Sequence, residues 1–186
     1  EKLGIKKIHG IDGPWVKKDM LVISPENFES KDLNTKLNIS DKYDLAFSFE
    51  VAEHLLPSHA NDFIQSLTNL SDFVLFSAAH PFQGGIGHIN EQWPNYWIDL
   101  FEKNDYTALD IIRKMTWQDK EISNCYKNNI LLFVKKDRLV DLKLMGNIEI
   151  HTPPEKYLLY FNKLTEPGIK QSFGNLIQAI IRRIKQ

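Results

Sequence analysis

The sequence predicts an α/β fold built on a mostly parallel sheet, and three observations carry that prediction. Short apolar runs ending in polar or glycine-bearing turns recur through the first 136 residues, helical apolar periodicity separates several of them, and Phe73 to Ala79 is apolar enough for a strand covered on both faces. Taken in order, Ile5 to Ile11 reads as the first strand, broken by Asp12-Gly13-Pro14. Trp15 to Val22 is short and mixed, consistent with one helical turn, and Phe28 to Leu33 is a short strand. Ser40-Asp41-Lys42 leads into Tyr43 to Phe49, an aromatic and aliphatic run of strand length. Good helix formers follow from Glu50 to Leu55, so the junction reads as a strand-to-helix turn with the helix beginning near Glu50.

Pro57-Ser58 restarts a helix whose buried face is Ala60, Phe63, Ile64, Leu67 and Leu70, with His59 and Asp62 solvated or capping in its first turn. Beyond the strand from Phe73, Trp97, Ile98, Leu100 and Phe101 give the next helix its apolar side, and Asn104-Asp105 ends it before a strand from Tyr106 to Ile112. Trp117-Gln118 and Asn124 to Asn129 read as a polar connection to the last strand, Ile130 to Val134. A composition shift at Lys135-Lys136-Asp137-Arg138 divides an α/β domain, residues 1–136, from a helical extension, residues 137–186. In that extension Phe173, Leu176, Ile177, Ile180, Ile181 and Ile184 trace one stripe opposite Arg182, Arg183 and Lys185, a face that can pack on its own domain, on a partner or second copy, or on a membrane surface.

With 186 residues and 42% hydrophobic residues the chain can bury a substantial core. A formal net charge of -1 gives no global attraction to nucleic acid or anionic membrane, so no nucleic-acid partner is expected without a local basic patch. The single cysteine, Cys125, excludes an intrachain disulfide framework, makes a reducing cytoplasm the default, and has nothing nearby in sequence to activate it. No apolar run reaches the length of a membrane span, so stable membrane insertion is not expected.

Chemistry is concentrated in two places. The first strand-to-helix turn gathers Ser48, Glu50, Glu53 and His54 where ligands bind in open α/β sheets. The second is the loop His80 to Trp93, in which Gly84, Gly85 and Gly87 permit close backbone approach while His80, His88, Glu91 and Trp93 can line a polar pocket. The competing reading is a solvated loop, but Trp93-Pro94 and Tyr96-Trp97 anchor its far end with aromatic bulk. The GGIG segment lacks the Gly-Lys-Ser/Thr pattern of a phosphate cradle.

Asp44-Leu-Ala-Phe-Ser48, with Glu50 and Glu53-His54-Leu55, resembles the fourth-strand motif of class I S-adenosylmethionine (SAM) dependent methyltransferases. Gly10-Ile11-Asp12-Gly13 is similar to that family's second strand, and Asp32-Leu33 to the end of its third. Gly84 to Trp97 and Phe101 to Tyr106 resemble a bacterial subset often associated with cell-surface sugar metabolism. The resemblance spans about residues 5 to 136 and implies a Rossmann-like, doubly wound sheet. It further implies that Asp12, with Gly10 and Gly13, accepts the cofactor's ribose hydroxyls, that Asp32 and the Leu33 amide read adenine, and that Ser48, Phe49 and Glu50 border the cofactor.

The family's first strand and glycine-rich loop are absent from this sequence, which opens on Glu-Lys-Leu-Gly. They are expected within about 30 to 60 residues upstream, the size of one nucleotide-binding strand-turn-helix unit, unless the domain has been remodelled. The function expected is methyl transfer from SAM to a small polar or sugar-like acceptor, with His54 or His88 taking its proton, Glu53 orienting either imidazole, and His80, Glu91 and Trp93 meeting the acceptor. Two alternatives stay open: a non-catalytic methyltransferase-like interaction module, and a metal-dependent hydrolase using His54, Glu53, His80 and His88. No close metal-ligand spacing supports the latter, so no metal is assigned.

Overall fold

The computed structural model describes residues 5–116, 119 and 122–142, and places six strands in two sheets. The smaller sheet pairs β1 (Gly10–Asp12) in parallel with β2 (Phe28–Ser30), so Asp12 lies opposite Ser30. The larger has the order β3-β4-β6-β5, formed by β3 (Ala46–Phe49), β4 (Phe73–Ser77), β5 (Tyr106–Leu109) and β6 (Leu131–Lys135). β3 and β4 are parallel, whereas β6 is antiparallel to both of its neighbours, so β6 alone runs against the other three. The α/β class expected from sequence is present, but the larger sheet is mixed, with one parallel and two antiparallel pairings, and β1 and β2 form a sheet of their own rather than extending it.

Helices connect these strands. α1 (Ala60–Leu70) buries Ala60, Phe63, Ile64 and Leu67, the stripe expected from its periodicity, and His59 is its N-cap residue without a side-chain capping bond. α2 (Pro94–Glu102) has proline in its first turn, where the missing N–H costs nothing, and buries Trp97, Leu100 and Phe101. Short helices α3 (Ile112–Thr116) and α4 (Asn124–Asn129) follow. Asn124 to Asn129 is thus helical rather than an irregular connection; it is too short for its periodicity to be legible. The strands are also shorter than the apolar runs that mark them: Tyr43 to Leu45 precede β3, and Ile5 to His9 precede β1. In the region of Trp15 to Val22 one 3-10 turn forms, Lys18–Met20.

The core is aromatic. The Phe101 and Phe133 rings stack with centroids 3.7 Å apart, and Phe76 meets Phe101, Phe133 and Trp97 at 5.2–6.1 Å. This locks α2 against the centre of the sheet, since Phe76 is on β4 and Phe133 on β6. Tyr106 joins the cluster while its hydroxyl donates to the carbonyls of Thr68 and Ser71, which ties β5 to the end of α1. Asp110 and Arg113 form a buried ion pair, with Arg113 Nε donating to Asp110 Oδ1 at 2.7 Å and Nη1 to the Asn128 carbonyl at 3.0 Å. That network fixes α3 against α4. Among the described residues β3 pairs only with β4, and Phe47 on its outer face is 66% exposed. The C-terminal stripe and the rest of residues 143–186 lie outside the described residues.

Phe101 has no solvent exposure and stacks directly on Phe133. Phe101→Ala should therefore lower unfolding free energy by about 3–5 kcal/mol, as expected for an aromatic deleted from a packed core. Urea denaturation followed by circular dichroism checks it, and a loss below about 1 kcal/mol would show that the sheet does not depend on this stack.

Candidate active site

The site begins where β3 ends. Glu50 has a positive φ of 53°, a conformation that costs a non-glycine residue energy and here turns the chain away from the strand direction. Its N–H donates to the Ser77 carbonyl at 3.0 Å and to Ser77 Oγ at 3.2 Å, which joins the ends of β3 and β4. Its carboxylate accepts from Gln83 Nε2 at 2.7 Å and from Asn129 Nδ2 at 3.2 Å, and Asn129 also reaches Gln83 Oε1 at 2.7 Å. Glu50 thus gathers the loop after β4 and the last residue of α4. It is not an acidic residue in the first turn of a helix, as the sequence suggests.

No α-helix starts at Glu50. Ala52–His54 forms a single 3-10 turn, and a second spans Pro57–His59 before α1. The backbone break at Glu50 on one side and the extended conformation of Leu56 before Pro57 on the other leave no room for a longer helix. The short turn has a structural consequence: Glu53 is fully buried while His54, the next residue, is exposed.

The loop after β4 is fastened to this turn. The Glu53 carbonyl accepts N–H bonds from both Ile89 and Asn90 at 2.9 Å, and the Gln92 N–H reaches the Ala79 carbonyl at 3.3 Å. His88 is thereby held with Nε2 4.0 Å from Glu53 Oε1, and its ring meets that of His54 edge-on at 4.8 Å. Each imidazole is oriented by a second group. His54 Nδ1 lies 3.2 Å from the Gly87 carbonyl, which can only accept, so Nδ1 carries the proton and Nε2 keeps its lone pair. His88 Nδ1 lies 2.9 Å from Glu91 Oε1, while Glu91 Oε2 accepts the Phe82 N–H. The orienting groups are thus Glu91 and the Gly87 carbonyl. Glu53, expected to orient one of the histidines, approaches His88 without hydrogen-bonding it.

Glu53 has no solvent exposure, and among the described residues neither carboxylate oxygen has a hydrogen-bond partner. Burial raises its pKa from 4.5 to about 7, and the Glu50 charge adds to the rise. The N–H groups of Glu53 and Ala79 and the His88 charge act in the opposite direction, but those N–H groups do not make hydrogen bonds of proper geometry to it. One ligand-capable atom from each of Glu53, His54 and His88 lies within 4.8 Å of the others. That grouping is invisible as a sequence spacing because His88 arrives from a separate loop.

The remaining expected site residues divide into local groups. His80 is buried, its Nδ1 donates to the Pro81 carbonyl at 2.8 Å, and its ring stacks on Trp93 at 5.8 Å. Trp93 is 45% exposed and presents an aromatic face to solvent. Asp12 accepts the Gly13 N–H at 2.6 Å, and Trp15 folds over Gly13 so closely that a Cβ there would lie 2.0 Å from its ring. Asp32 is exposed and accepts the Asn34 N–H, which lowers its pKa. Leu33 is core, and Ser48 is buried on β3. Gln83 and Asn129 are parts of the site that sequence reasoning did not single out individually; Asn129 lies 79 residues from Glu50 and carries no local signal. Among the described residues no helix is long and apolar enough to cross a membrane.

No protein-family model and no curated protein sequence matches the chain. Solved structures similar to it include LepI in complex with SAM, at 12% identity over 69% of this chain and a TM-score of 0.47, and the methyltransferase domain of bacterial CtHen1-CN, at 17% identity over 69% of this chain and a TM-score of 0.42. The chain spans 36% of the LepI chain and 76% of the CtHen1-CN chain.

Because the folded pKa of Glu53 is raised from 4.5 to about 7, the folded state keeps a proton that the unfolded chain releases. Its stabilising contribution is full below the unfolded pKa and is lost as pH rises through 7. Urea midpoints of metal-free protein should fall between pH 5 and pH 8, corresponding to roughly 3 kcal/mol for a shift of this size. Glu53→Gln should flatten that dependence; identical pH profiles for the two proteins would contradict the assignment.

Proposed function

We propose that this chain belongs to a SAM-dependent methyltransferase acting on a small polar or sugar-like acceptor. One structural observation carries the reading beyond the sequence resemblance: two oriented imidazoles and a buried carboxylate converge just beyond the carboxyl ends of β3 and β4, two adjacent parallel strands. Crevices at that end of an α/β sheet are where such folds bind ligands. The resemblance supplies the cofactor and the geometry supplies a site for handling the acceptor's proton.

In the reaction, the acceptor oxygen or nitrogen attacks the sulfonium methyl in line. The carbon–sulfur bonding pair returns to sulfur, giving the neutral thioether, and the acceptor proton leaves toward the Glu53–His54–His88 cluster. Positioning supplies much of the rate, so few residues need to take part in the chemistry. Trp93 offers its exposed face to the apolar side of a sugar ring, with His80 stacked behind it. Glu91 acts through His88, since its carboxylate is committed to that ring and to the Phe82 N–H. Asp12, at the end of β1 and held by the Gly13 N–H, is the residue assigned to the ribose hydroxyls.

Two variants of the full-length protein test this reading. Asp12→Ala removes paired charge-assisted hydrogen bonds worth about 1.5–3 kcal/mol each and should weaken SAM binding at least tenfold by calorimetry. His88→Gln should leave SAM affinity nearly intact but lower turnover roughly 10²- to 10⁴-fold, measured as transfer of labelled methyl to a panel of sugar and polar acceptors. Wild-type protein that binds no SAM would reject the proposal outright.

A further inference from the structure

We propose that Glu53, His54 and His88 form a binding site for one borderline divalent transition-metal ion, of the zinc class rather than magnesium. Three independent features support it. The first is an unusual carboxylate: Glu53 has no solvent exposure, both oxygens lack a hydrogen-bond partner among the described residues, and Oε1 lies 4.0 Å from His88 Nε2. A buried carboxyl with neither solvent nor donor is costly, and native structures keep such groups where something else satisfies them.

The second is how the imidazoles are held. A metal-binding histidine characteristically gives its other ring N–H to a carbonyl or carboxylate, which fixes the tautomer and leaves a lone pair for the metal. Both arrangements are present: His54 through the Gly87 carbonyl and His88 through Glu91. The third is spacing. Ligand-capable atoms of the three side chains lie within 4.8 Å of one another. Atoms bound to one zinc-class ion at about 2.0–2.2 Å stand roughly 3–3.5 Å apart, so a contraction of about 1 Å closes the site, within reach of small rotations of the exposed His54 and the loop-borne His88.

Two imidazoles and one carboxylate suit zinc, cobalt, iron or nickel, whereas magnesium and calcium prefer sites made wholly of oxygen. Three protein ligands with one member at the surface leave coordination positions for water or for an acceptor hydroxyl, the pattern of a catalytic rather than a structural site. The inference needs only this cluster, and it stands whether or not the chain transfers methyl groups. If both hold, the ion is the means by which the cluster lowers the acceptor's proton affinity.

The test uses full-length protein stripped with a chelator and titrated with zinc chloride by calorimetry, and with cobalt(II) by visible absorption. Wild-type protein should bind one equivalent of zinc and develop cobalt ligand-field bands, with magnesium binding at least 100-fold more weakly. His54→Gln, a surface change that leaves the core intact, and the isosteric Glu53→Gln should each weaken zinc at least 100-fold and abolish the bands. Glu91→Ala, which removes the partner of His88, should weaken zinc about 10- to 100-fold. His59→Gln, outside the cluster, should bind as wild type. No zinc binding by wild-type protein, or unchanged zinc binding in both His54→Gln and Glu53→Gln, overturns the proposal. SAM affinity, measured in parallel on the metal-free protein, reports separately on the methyltransferase reading.

Discussion

The candidate site depends on one bifurcated contact: the carbonyl of Glu53 receives the N–H groups of both Ile89 and Asn90 at 2.9 Å. It is the main-chain tie between the 3-10 turn after β3 and the glycine-bearing loop after β4, which side-chain bonds from Gln83 and His54 reinforce. With it His88 lies beside Glu53 and His54, and every orienting bond in the cluster follows from that placement. Main-chain bonds are well suited to this task because they do not depend on rotamer choice, and the side chains are left available for chemistry.

The same loop is anchored at other points. Gln83 and Asn129 clamp the Glu50 carboxylate, Glu91 bridges the Phe82 N–H and His88, and His80 stacks on Trp93. Beneath it the Phe76, Phe101 and Phe133 cluster makes β4, β6 and α2 one rigid unit. The catalytic candidates therefore rest on a stiff platform although they belong to irregular segments, which is the usual way a loop site obtains precision. The strain at Glu50 is part of that design: a positive φ at the strand end is tolerated because two backbone-directed bonds to Ser77 and two amides on the carboxylate hold it in place.

Much of this was legible in the residues themselves. Apolar runs located β3, β4, β5 and β6, and helical periodicity marked α1 and α2, because the periods of two and 3.6 residues are imposed by backbone geometry alone. The density of His, Glu, Gln and Gly in the two loops marked the segments that form the candidate site, since polar side chains clustered after apolar strands have no role in a core. By contrast, α4 is a single short helix without apolar rhythm, and the helix expected at Glu50 gave way to a 3-10 turn.

What the sequence determined by itself was the inventory: the principal strands, the two longer helices, and which residues could carry chemistry. Only the tertiary structure decided the pairings, namely that Glu91 and not Glu53 orients His88, that a backbone carbonyl orients His54, and that Asn129 reaches Glu50. Local periodicity is a property of neighbours in the chain, whereas a hydrogen bond between residues dozens of positions apart exists only after strands have found their register. Glu53 shows the difference most clearly. The sequence places it on a helical turn as the partner that orients a histidine, and its position under a folded loop makes it a buried carboxyl with no partner among the described residues.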